Sequence, residues 1–163
     1  MKKKTYIIFS FVLLILMYGC AGYKPIFNST DLNFKIISHS IEGNKILGKN
    51  IYSKLFNSAR ASKNKKSLKT VVIKINVLKN KKVSVKDSAG KILEYKITLN
   101  AEVEVKDFVT NDIIINQTFT NSQNYGVQSQ HSETIKLENK SIESIINKIY
   151  QELLIKLSQS ILT

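Results

Sequence analysis

Residues 93–106 alternate without a break. Leu93, Tyr95, Ile97, Leu99, Ala101, Val103 and Val105 interleave with Glu94, Lys96, Thr98, Asn100, Glu102, Glu104 and Lys106. Successive side chains of a strand point to opposite faces, so the run from Ile92 to Lys106 makes one long strand with an apolar and a polar side. A strand of this kind belongs to a sheet covered on one face, whose other face meets water or a partner.

The flanking sequence supplies the rest of such a sheet. Leu32–Ile41 alternates through Leu32, Phe34 and Ile36 and ends at Gly43-Asn44. Thr70–Leu78 places Val71, Ile73, Ile75 and Val77 on one face. Asn80–Gly90 connects it to the long strand, with Val83 and Val85 able to extend either neighbour and Asp87-Ser88-Ala89-Gly90 as turn chemistry. Thr110-Asn111-Asp112 makes the next turn, and Ile113–Tyr125 follows as the last strand.

Two segments have helical spacing. Ile46, Leu47, Ile51, Leu55 and Phe56 predict a helix of about four turns ending near Ser58, before a basic polar loop at Ala59–Ser67. Ser132–Leu162 carries a stripe running from Ile135 and Ile142 through Ile145, Ile146 and Ile149 to Leu153, Leu157 and Ile161. Ser132 is placed to cap this helix, and Glu133 suits its positive end. At 1.5 Å per residue it is about 46 Å long. The predicted order is β-α-β-β-β-α. Its first β-α-β step favours a parallel, right-handed crossover, and the short later turns favour antiparallel pairing. The expected fold class is α+β: a two-layer α/β sandwich with two helices packed on a four-stranded mixed sheet. A chain of 163 residues has room for one such domain, expected over residues 31–163.

What precedes that domain reads differently. Lys2, Lys3 and Lys4 are followed by an apolar run from Tyr6 to Tyr18, 13 residues long. That is short of the roughly 20 residues a membrane-spanning helix needs and fits a signal-peptide core. Gly19-Cys20-Ala21-Gly22 comes next, and Cys20 is the only cysteine of the chain. A small residue before a cysteine at this place resembles a bacterial lipoprotein cleavage site. Residues 1–19 are then a lipoprotein signal peptide and residues 20–30 a lipidated tether, with covalent acyl chains on Cys20. A plain membrane anchor or an ordinary secretory signal are the alternatives. Ala21, rather than Asp, after the cysteine is similar to the sorting signal for the outer membrane.

Formal net charge is +13, which raises the question of nucleic acid. The basic residues argue against it. All but Arg60 of the 25 are lysine, and base readout and bidentate phosphate clamps lean on arginine. Lys, Ile and Asn together make up 62 of the 163 residues, so part of the charge reflects a general compositional skew. The remaining positive field attracts acidic lipid head groups as readily as nucleic acid.

Catalytic patterns are missing from the sequence. His39 and His131 stand without a neighbouring cysteine or a partner at ligand spacing, which leaves each a structural or surface role. The six glycines form no phosphate-binding loop, and there is no nucleophile-elbow motif. The expectation is a binding protein, not an enzyme, with neither metal nor cofactor.

In combination these features resemble the LPS-assembly lipoprotein LptE family. Cys20-Ala21-Gly22-Tyr23-Lys24-Pro25-Ile26-Phe27 is similar to that family's lipidated cysteine followed by glycine, an aromatic residue and an extended stretch. Asp87–Tyr95 resembles its hairpin that ends in Glu-Tyr and enters a long alternating strand. Asn121–Val127 and the helix from Ser132 resemble its last strand and C-terminal helix. The resemblance runs from Cys20 to about Leu162. It implies a lipid-anchored protein on the periplasmic face of the outer membrane. It also implies an LptD-like β-barrel partner that the protein plugs and helps assemble, and lipopolysaccharide bound without turnover. An auxiliary lipoprotein of another envelope lipid-transport complex is the alternative. In the family, basic residues near the hairpin and near the start of the last helix serve LPS binding. The matching regions here hold Lys79, Lys81, Lys82, Lys86 and Lys91, then Lys136, with Lys86 and Lys136 the foremost. Lysines are point-charge binders of phosphate. For any one of them, plain solvated surface is the competing reading.

Overall fold

The computed structural model describes residues 34–61 and 69–162. The signal peptide, the tether and Cys20 lie outside the described residues, as does most of the basic loop after the first helix. The elements are β1 (Phe34–Gly43), α1 (Lys45–Ala61), β2 (Lys69–Lys86), β3 (Ile92–Asp107), β4 (Ile113–Gly126) and α2 (His131–Leu162). The strands lie side by side in the order β1-β2-β3-β4. β1 runs parallel to β2, and the other two pairings are antiparallel. The expected α+β sandwich is therefore the observed one.

The alternation of the sequence becomes the layering of the molecule. Ile73 pairs with Val105, Ile75 with Val103 and Val77 with Ala101. Val105 pairs in turn with Ile115, and Ala101 with Phe119. Directly opposed residues share a face, so these side chains form continuous apolar rows across the sheet. The β2 and β3 members have no exposed surface at all. Leu47, Ile51 and Leu55 of α1, and Ile145, Ile149, Leu153 and Leu157 of α2, cover them. The other face stays open and polar. Asn76 donates to Glu102 (3.4 Å), Thr120 to Asn100 (2.9 Å) and Asn124 to Glu94 (2.8 Å) across it.

The connection from β1 to α1 is tight. Gly43 has φ +65°, and a Cβ there would lie 2.4 Å from the Val77 carbonyl oxygen, so only glycine turns the chain this close to β2. Asn44 then caps α1. Its carbonyl accepts Gly48 N–H (3.0 Å), and its Oδ1 accepts Leu47 N–H (3.2 Å).

Three expectations need correction. β2 does not stop at Leu78 but continues to Lys86, so most of the expected connection is strand. Leu93 and Ile135 are not core: they are 43% and 45% exposed. The inward stripe of α2 begins instead with Thr134 and Ser141, both buried, flanked by the half-buried Leu137 and Ile142, and reaches the fully enclosed apolar series at Ile145. Ser132 does not cap α2, because the helix already starts at His131. Its entry is held by Thr134, whose Oγ1 accepts Gln128 N–H (2.9 Å), and whose own N–H donates to Gln130 O (3.2 Å).

Candidate functional site

β2 and β3 run on together past Glu94, where the pairing of β3 with β4 ends, and close in a short turn. Asp87 builds that turn: its Oδ1 accepts N–H groups from Ala89 (3.0 Å) and Lys91 (2.9 Å). Its own N–H donates to Lys91 O (2.9 Å), and Gly90 takes φ +82°. The pairing register shifts twice just before the turn, around Val85. Such bulges bend and twist a ribbon locally. The hairpin that results bears Lys82, Lys86 and Lys91, all exposed and none with an ion-pair partner among the described residues.

At the base of the hairpin the parity of β2 carries Lys79 and Lys81 onto the same face as Val77, the face turned toward α2. They meet Glu138. Lys79 Nζ lies 2.7 Å from Glu138 Oε1 and Lys81 Nζ 2.6 Å from Oε2. Tyr125 OH donates to Oε2 as well (2.8 Å). Lys81 Nζ also sits 4.4 Å from the centroid of the Tyr95 ring and 5.5 Å from that of Tyr125, and these two rings stack at 5.8 Å. One carboxylate of α2 thus gathers three donors from β2 and β4, above a pair of aromatic rings.

The charges in this cluster are strongly coupled to the geometry. Desolvation pushes the Glu138 carboxyl up, but hydrogen bonds from Lys79, Lys81 and Tyr125 overcome it and lower the pKa from 4.5 to about 2. Lys81 is raised: desolvation opposes its charge, and Glu138 and Tyr125 outweigh desolvation. Burial pushes the Tyr125 hydroxyl up. The exposure of the side chains, 18% for Glu138 against 28% and 37% for Lys79 and Lys81, puts the pairs between core and surface.

Of the lysines singled out in the sequence, Lys79 and Lys81 are held by Glu138, and the others separate into three places. Lys86 and Lys91 stand on the two sides of the Asp87 turn, at the hairpin tip. Lys82 pairs in register with Lys96 on the open face of the sheet, away from α2. Lys136 lies on α2, 72% exposed, with Glu133 one turn behind it at 2.8 Å. It is two residues from Glu138, so the clasp brings its helix to the hairpin base. His39, read as structural, stacks on Tyr52 with centroids 3.9 Å apart.

Sequence reasoning missed the clasp, although two signals for it were present. Lys79 and Lys81 continue the parity of Val71–Val77. Glu138 falls four residues after Thr134 and three before Ser141, on the inward stripe of α2, where an acid calls for a partner. Among the described residues no helix is long and apolar enough to cross a membrane.

No family model matches the sequence, and no curated protein matches it either. Solved structures do match the fold. The rare lipoprotein B from Shewanella oneidensis is similar over 76% of this chain and 96% of its own, with TM-score 0.54 and 13% identity. The uncharacterized lipoprotein B from Nitrosomonas europaea matches over 82% and 88%, with TM-score 0.57 and 14% identity. A minor lipoprotein from Acinetobacter baumannii matches over 74% and 91%, with TM-score 0.51 and 16% identity. The β-α-β-β-β-α sandwich of this chain is thus a fold shared with bacterial lipoproteins, at a sequence identity that conveys the architecture alone.

Proposed function

We propose that the chain is an outer-membrane lipoprotein of the LPS translocon: tethered through acyl chains on Cys20, bound to an LptD-like β-barrel, and in contact with LPS during its delivery to the outer leaflet. The observation that carries this reading is the fold, similar to that of rare lipoprotein B, taken with the resemblance of the sequence to the LptE family. The arrangement of charge agrees with it. A barrel lumen is polar and water-filled, and a plug inside one needs a rigid core with a hydrophilic exterior. The open sheet face, with its rows of Asn, Thr, Glu and Lys, supplies such an exterior. Lipid A carries phosphates, and the hairpin tip offers lysines whose charge no carboxylate takes up. The protein acts by binding, without chemical turnover.

Depleting the protein tests the role directly. New LPS is expected to stop reaching the cell surface, and the mature protein is expected to copurify with a large outer-membrane β-barrel. Normal surface LPS after depletion would remove the assignment. Copurification with an inner-membrane ATPase instead would move the protein to another envelope lipid transporter.

At residue level, Lys86→Glu combined with Lys136→Glu reverses two exposed charges and leaves the clasp untouched. Each lost phosphate contact of this kind is worth about 1 kcal/mol or more, so LPS affinity is expected to fall at least tenfold. Circular dichroism and barrel copurification should not change. LPS titration at about 0.15 M salt is the measurement, since exposed charges act only over about 8 Å there. An unchanged affinity would take both lysines out of the site.

A further inference from the structure

The molecule has two sets of lysines at its hairpin end, and one acid separates them. Lys79 and Lys81 are both spoken for by Glu138, at 2.7 and 2.6 Å. Lys82, Lys86 and Lys91, a few residues further along the same ribbon, have no acidic partner among the described residues. Glu138 belongs to α2, the helix that carries Lys136 two residues earlier. Among the described residues, charged side chains join the hairpin base to the first turns of α2 only through the two bonds that end on this carboxylate, backed by Tyr125 OH at 2.8 Å.

We propose that Glu138 is a positioning residue for phosphate recognition. By clasping Lys79 and Lys81, it fixes the hairpin lysines relative to Lys136 and at the same time withdraws two lysines from the general pool of positive charge. The proposal rests on the LPS-binding reading given above. Its physical content is preorganisation. β4 accompanies β3 only as far as Glu94, and beyond that the β2–β3 hairpin is a ribbon of two strands, marginal by itself in water. Anchoring its base removes part of the ordering cost that a ligand touching both hairpin and helix would otherwise meet. The Asp87 turn stiffens the tip, and the clasp ties the three-stranded root from which it projects to α2.

The second consequence is selectivity. Unpaired lysines attract any anionic surface, whereas fixed spacing between charges favours a ligand with phosphates at a matching separation. Satisfying Lys79 and Lys81 internally lowers the first kind of binding and sharpens the second. Glu138 does not itself touch the ligand.

Two variants break the clasp from opposite sides, in the full-length protein. Glu138→Gln frees two lysines; Lys79→Gln with Lys81→Gln removes them. Binding is measured on vesicles containing lipid A and on vesicles of phosphatidylglycerol at the same surface charge. Hydrogen exchange of residues 80–94 is followed beside that of Ile97–Val105 as the fold control. Both variants are expected to speed exchange in the hairpin about tenfold, with the control strand speeding only by the loss of global stability that denaturation reads separately, and to lower the preference for lipid A about fivefold. They should diverge on phosphatidylglycerol: Glu138→Gln binds more tightly, and the double lysine variant more weakly.

Faster hairpin exchange with an intact lipid A preference in both variants would overturn the proposal, because the clasp would then be structural only. Unchanged hairpin exchange would also overturn it. A wild-type protein without any preference for lipid A would instead bring down the LPS reading itself, and the proposal with it. A global rise in exchange, control strand included, is answered by Glu138→Asp, which keeps the charge. Recovery of the lipid A preference there sustains the proposal, and failure to recover it counts against it.

Discussion

Leu153→Ala will lose about 4 kcal/mol of folding stability, near the upper end for removing a fully enclosed leucine. Leu153 has no exposed surface and lies in the middle of the apolar stripe of α2, opposite the sheet. The void left there lies among side chains of a four-stranded sheet whose strands are locked by pairing, so the site collapses only in part and the cavity contribution adds to the lost transfer energy. Domains of this size have about 5–15 kcal/mol in total, which makes the loss a large fraction. With a urea dependence of about 2 kcal/mol per molar, the unfolding midpoint falls by about 2 M. Ile135→Ala on the same helix is the contrast: 45% exposed, it should change stability by about 0.5 kcal/mol. Equal midpoint shifts in the two variants would contradict the phase of α2 described above.

Glu138→Gln carries the second large effect, and its size depends on pH. The folded carboxyl titrates at about 2 against an ordinary value of 4.5. At about 1.36 kcal/mol per pKa unit the difference corresponds to roughly 3.4 kcal/mol, and partial solvent access to both lysines reduces it to about 2 kcal/mol. Between pH 2 and 4.5 the unfolded chain binds the proton that the folded chain rejects, so stability rises with pH through that window. The wild type therefore holds its full advantage over Glu138→Gln above about pH 5. The advantage shrinks as pH falls from 4.5 toward 2, and disappears below. Lys81 acts in the opposite direction at the alkaline end: its raised pKa gives stability below 10.5 that is lost as pH climbs through the folded value. Denaturation curves for the two proteins at pH 7 and near pH 2 check the assignment. A constant difference between them at both values would assign the stability to something other than the carboxylate charge.

The architecture was legible because period and burial coincide where the sheet is covered. Residues Val71–Val77 and Ile97–Val105 alternate in the sequence and in the structure alike, and from Ile145 onward the stripe of α2 matches its buried face. Legibility failed where partners rather than local preference decide. Asn80, Lys81 and Lys82 have little strand propensity, yet they remain strand because β3 lies alongside and pairs with each of them. In the first turns of α2 three inward residues, Thr134, Glu138 and Ser141, are polar and only Leu137 is apolar, so hydrophobicity alone shifts the phase to Ile135. The same polar stretch hides the clasp. A lysine read singly is a solvated charge. Its partner comes from an element 57 residues away, and nothing in the local sequence names that partner.

The parallel pairing of β1 with β2 constrains the order in which the chain can acquire its shape. Phe34 pairs with Lys69, a separation of 35 residues, with α1 in between. β2, β3 and β4 are joined by five residues each, 87–91 and 108–112, so their hairpins close at small entropic cost. The efficient nucleus is therefore the C-terminal meander with α2 docked on it, and β1 with its helix condenses onto a ready-made edge. Synthesis delivers the polypeptide in the reverse sense. The strand that emerges first has no mate until β2 has followed it, and its backbone amides and carbonyls stay with water or a chaperone during that interval.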